Sequence, residues 1–149
     1  MKQALKLLSL EDAKQELLRL KQSKTVNTPN WDISEICLHC AQTINYSITG
    51  YPVMKSPFIR NTIGKIAYRK FKRQGFMSHS LTAHVPGADQ LEVELSPQDS
   101  IQKLLDTIET FQNYTGALKP HLLFGNLTKA EYDQYFAMHI ADHFSELDY

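Results

Sequence analysis

Apolar residues recur at helical spacing in five stretches of this chain, each opened or closed by a polar signal. Leu10, Ala13, Leu17 and Leu20 follow Ser9 and Asp12, a capping-box pair, and predict a first helix running to about Lys24. The polar residues 25–30, with Pro29 among them, form a short connection. Asp32 is placed as N-cap of a second helix, with Glu35 at N3 and Trp31 positioned to staple onto Ile36; this helix reaches Thr49 and Gly50 closes it. Two prolines keep 51–57 irregular. The third predicted helix spans 60–74, with Ile59, Ile63, Ile66, Ala67 and Phe71 on one side and Lys65, Arg69, Lys72 and Arg73 on the other. Residues 76–95 lack a helical period, although Leu91, Val93 and Leu95 alternate; such a connection serves as crossover, lid or disordered segment. Ser96, Pro97 and Asp99 open a fourth helix bearing Ile101, Leu104, Leu105, Ile108 and Phe111, which fades near Tyr114, Thr115 and Gly116. After a loop at 120–125, Thr128 and Glu131 cap the last helix, 128–147.

That last helix carries the most distinctive chemistry. At about 100° per residue, Tyr132, Phe136, His139, Ile140, His143 and Leu147 share one apolar stripe, while Lys129, Asp133, Gln134 and Asp142 lie largely outside it. His139 and His143 therefore point inward together, close enough for both rings to converge on one cation. The plainer alternative is a pair of core histidines bonded to backbone or to each other. Elsewhere the pattern is less telling. His39 projects roughly 140° from the centre of the face made by Ile33, Ile36, Cys40 and Ile44, a marginal position for a ligand. His79 and His84 fall in the long connection, where solvated histidines are usual, and His121 precedes the last helix in a loop.

Composition narrows the setting. With 149 residues and 42% hydrophobic content the chain suits a single domain, 1–149, with a real core. The 16 basic and 16 acidic residues cancel, which argues against nucleic acid or anionic lipid as a partner recruited by a global field. No apolar run reaches the eighteen residues or so of a membrane span, and Lys6, Glu11 and Asp12 spoil a secretory core in the opening segment. A cytoplasmic protein is expected. Cys37 and Cys40, the only cysteines, have C-x-x-C spacing but sit beyond the first turn after Asp32, so two reduced core residues are expected before a redox pair. These elements make an all-α fold: a four-helix bundle whose long crossover carries the extra, basic helix.

Three segments carry a family resemblance. The run from Asn30-Trp31-Asp32 to His39-Cys40-Ala41, the segment Pro120-His121-Leu122-Leu123-Phe124-Gly125-Asn126-Leu127-Thr128 and the closing His139-Ile140-Ala141-Asp142-His143-Phe144 resemble the DinB/YfiT-like superfamily. Within it they look like a bacterial branch of uncharacterised proteins. The resemblance covers nearly the whole chain and implies a four-helix bundle holding a divalent metal through His39, His139 and His143. It thus promotes His39, which the helical projection does not. Zinc and nickel both accept imidazole. Three imidazoles leave a position open on the ion, and relatives suggest a thiol-dependent transferase or a hydrolase, with a small-molecule substrate and a small-molecule thiol as co-substrate. The family motif often continues to a glutamine, where this chain has Glu146 nearby. Glu146 can orient a ligand or act as a catalytic base, a solvated terminal glutamate being the alternative. Homodimer formation stays open. The competing functional reading is a non-catalytic binding module, in which Lys65, Arg69, Lys72 and Arg73 dock on nucleic acid or another acidic partner.

Overall fold

A computed structural model describes residues 5–24 and 26–149; Thr25, the first residue of the expected connection, and residues 1–4 of the opening segment lie outside it. Among the described residues the regular structure is helical: α1 Leu10–Gln22, α2 Ile33–Thr49, α3 Pro57–Asn61, α4 Ile63–Gln74, α5 Pro97–Asn113 and α6 Lys129–Phe144. Four of these form the bundle, with α1 and α2 each packed on both α5 and α6. The caps act as the sequence expects. Ser9, Asp32 and Ser96 each accept a backbone N–H three residues on, and Thr128 and Glu131 complete a reciprocal capping box. Each cap fixes the phase of its helix, hence which side chains turn inward.

Between the four bundle helices lie Leu10, Leu17, Ile36, Ile44, Leu104, Ile108, Phe111, Tyr132 and Phe136, all essentially without exposure. Cys37 and Cys40 belong to this core as free thiols. Burial, with a smaller contribution from Asp32, pushes the Cys37 thiol up to about 12, and burial likewise raises Cys40. Neither is a ready thiolate at neutral pH. The C-terminus ties the bundle together, since Asn27 and Asp148 exchange backbone hydrogen bonds of 2.9 and 3.2 Å. No helix among the described residues is long and apolar enough to cross a membrane.

The extra helix corrects the sequence expectation in two ways. It starts three residues early at Pro57 and breaks at Thr62, whose φ of −119° and ψ of −90° are not helical, so the expected 60–74 helix is two pieces. Its orientation also differs. Ile63 and Ile66, on the apolar side of the expected helix, are 63% and 67% exposed, whereas Gly64 and Tyr68 are buried. The reason is a close approach at Gly64, where a Cβ atom would lie 1.9 Å from the Leu123 carbonyl oxygen. A backbone seat of that kind admits only glycine and outweighs the isoleucine periodicity. Tyr68 and Phe71 then set their rings against Phe124, and Lys65 donates to the Asn126 carbonyl at 2.6 Å. Arg69, Lys72 and Arg73 remain exposed.

Candidate metal centre

The two central helices and the crossover bring four histidines to one place. His39 on α2 and His139 on α6 set their Nε2 atoms 3.3 Å apart, and His79 from the crossover sets its Nε2 3.1 Å from that of His143. One ring nitrogen of each lies within 4.8 Å of the other three, so the group can hold a metal ion. Around a tetrahedral zinc with bonds of about 2.0–2.1 Å, ligand nitrogens stand roughly 3.3 Å apart, so both short pairs already have a coordination spacing.

His39, marginal by helical projection, is only 3% exposed. Its side of α2 is covered by α6 and the crossover, and the buried face of this helix is wider than its apolar stripe: Ser34, Thr43 and Ser47 are buried too. His79 is the clearest departure. Expected in solvent, it is held instead by Asp142, whose Oδ2 accepts both the His79 backbone N–H at 2.9 Å and the ring Nδ1–H at 2.5 Å. A signal for this existed in Asp142, a carboxylate next to His143 in sequence, but nothing local to His79 marks it. His84 stays exposed, with its ring 4.7 Å from that of Trp31. Glu146 stands outside the histidine group, accepting from Asn30 Nδ2 at 2.6 Å. Trp31 covers the group, stacking on His143 at 5.8 Å and meeting His39 edge-on at 5.2 Å.

The protonation pattern favours a cation at the centre. A carboxylate only accepts, so the hydrogen shared with Asp142 is on Nδ1 of His79, and Nε2 is the ring nitrogen that faces His143. Burial, with the charges of neighbouring His79 and His84 adding, lowers His39 to about 4. Burial, then His39 and His79, lowers His143 to about 2, and burial brings His139 well below its ordinary value. Unprotonated imidazoles are metal ligands at neutral pH. Nδ1 of His39 and of His143 is buried with no hydrogen-bond partner among the described residues.

A cavity of about 310 Å³ opens beside His39, His79 and His139, roofed by the crossover and walled by the turn at 121–124. The sixth histidine, His121, builds that wall. Its Nδ1 accepts the backbone N–H groups of Leu123 and Phe124, both at 3.1 Å, and Gly125 closes the turn at φ 72°. Burial, helped by the charge of Lys65, lowers His121 to about 3. The unfolded ring takes a proton near pH 6.5, so between these values the unfolded chain binds more protons. Stability from this residue is complete above about pH 6.5 and declines as pH falls toward 3. Urea midpoints of chelator-treated protein are expected to fall over this range, and H121N, whose amide oxygen can accept the same N–H groups without titrating, should reduce the slope by about one proton. An unchanged slope in the variant would contradict the assignment.

No curated protein and no solved structure matches the chain. The family model described as "Protein of unknown function (DUF1569)" matches residues 1–149, and the chain belongs to that family.

Proposed function

We propose that this chain is a divalent-metal-dependent enzyme of the DinB/YfiT type, with His39, His79, His139 and His143 as the ligands. The observation that carries the proposal is the meeting of four ring nitrogens from two bundle helices and the crossover, one of them fixed in its tautomer by Asp142. The bundle topology supports the kinship. A divalent ion there, zinc or nickel, would supply Lewis acidity to a small protic group that reaches it, water or the thiol of a co-substrate. The protein's own residues keep His39, His139 and His143 neutral by burial, orient His79 through Asp142 and cover His143 with Trp31. Four imidazoles would close a strictly tetrahedral ion, as in structural sites, whereas an ion taking five or six ligands keeps a place for a guest. The cavity flanked by His39, His79 and His139 supports the open arrangement. Transferase or hydrolase chemistry with a small-molecule substrate is the activity such a site suits.

The test is metal analysis of protein purified without a histidine tag, beside the four single alanine variants. Full occupancy in all four would rule the site out. Asp142→Asn should keep the fold and weaken the metal by about 10–100-fold, as loss of an orienting carboxylate does elsewhere. Equal affinity would show that Asp142 has no part in holding the ligand. A binding module on the basic face is the weaker reading, because Lys65, one of its four charges, is engaged with the Asn126 carbonyl.

A further inference from the structure

Beyond the histidine group, the cavity has a composition of its own. Its lining contains no Lys, Arg, Asp or Glu, and Ala67, Phe71, Met77, Val85, Leu122 and Phe124 make most of its surface apolar. A charged guest body would find no countercharge there. At about 310 Å³ it is at the small end of the range for ligand pockets, about 300–1,000 Å³.

Its polar groups are mostly committed. Tyr51 Oη donates to the Thr43 carbonyl at 3.0 Å, and Thr43 Oγ1 donates to the His39 carbonyl at 3.1 Å. Tyr135 differs. Because His121 Nδ1 accepts two backbone N–H groups, the hydrogen of this neutral ring is on Nε2, which donates to Tyr135 Oη at 3.1 Å. The Tyr135 oxygen is thereby an acceptor, and its own hydrogen has no acceptor among the described residues. The residue is only 5% exposed, lines the cavity and stacks on His139 at 5.9 Å. A buried O–H donor without an acceptor is costly, and a guest's acceptor atom would remove that cost.

We infer that the cavity takes a small, uncharged molecule with an apolar body and a hydrogen-bond acceptor, and that Tyr135, held by His121, is the residue that donates to that acceptor. This deepens the metal reading, resting on it only for the guest's reactive end.

Acetophenone and ethylbenzene test it, since they share a ring and differ in one carbonyl acceptor. In titrations followed by NMR, with metal content measured on the same samples, the wild-type chain should bind acetophenone roughly 3–10-fold more tightly, the worth of one net hydrogen bond. Tyr135→Phe should abolish that preference while ethylbenzene affinity and metal content stay unchanged. Equal affinities in the wild-type chain, a preference that survives in Y135F, or no binding of either probe would each overturn the inference. Should Y135F fail to fold, His121→Asn, which removes the ring that holds Tyr135, should reduce the same preference, and a full preference in that variant would overturn the inference. Loss of the metal reading alone would appear in the metal content, with the ligand preference intact.

Discussion

His139→Ala is expected to weaken binding of zinc or nickel by about 100-fold or more, exceeding the effect of removing an orienting carboxylate. The loss should be visible in stability. At a free metal concentration of about 1,000 Kd, a native-state ligand adds about 4 kcal/mol, roughly 8–16 °C in Tm for a chain of this size. With Kd raised about 100-fold, the same metal concentration adds only about 1.4 kcal/mol to the variant, roughly 3–6 °C. His139 is the informative choice because it is 4% exposed and its ring is 4.7–5.0 Å from those of His39, His79 and His143. Were the four rings only a hydrogen-bonded core cluster, the variant would lose stability without metal and the wild type would gain nothing with it. Differential scanning with and without added metal separates the two outcomes.

Gly64→Ala should destabilise the chain by about 3 kcal/mol, the upper part of the range for overpacked sites. In a free helix the same change is favourable by up to about 1 kcal/mol, so the sign itself is diagnostic. Here the added methyl would meet the Leu123 carbonyl at 1.9 Å, and that partner is backbone, unable to swing aside. α4 and the 121–125 turn would have to separate, disturbing the wall that carries His121 and, through it, Tyr135. Urea unfolding measures the effect. A stabilised G64A would mean that α4 does not seat on the turn as described.

What could be read in the sequence follows from how local each signal is. Helix starts were legible at Ser9, Asp32, Ser96 and Thr128 because a capping side chain and its N–H partner lie within one turn. His139 and His143 were legible for the same reason, being one turn apart on a stripe that does face the core. His39 was not legible from periodicity, since α2 is covered on more sides than its isoleucines reveal; the family resemblance singled it out. His79 escaped both. Its place depends on a contact with Asp142, 63 residues away, inside a segment with no repeating pattern to set its phase. The facing of α4 is not legible, because Ile63 and Ile66 continue an apolar stripe, while the glycine that decides the packing has no side chain to register in a hydrophobic pattern. The third-helix boundary failed at Thr62, an internal break with no proline or glycine to announce it.

A single ion among these four rings is directly visible by diffraction. Anomalous diffraction from crystals of tag-free protein, recorded on either side of the absorption edge of the metal found by elemental analysis, tests it most directly. One strong peak is expected, bounded by the Nε2 atoms of His39, His79, His139 and His143, with unfilled space toward the cavity. Ordered water at that point with no anomalous signal, or a peak elsewhere on the chain, would contradict it.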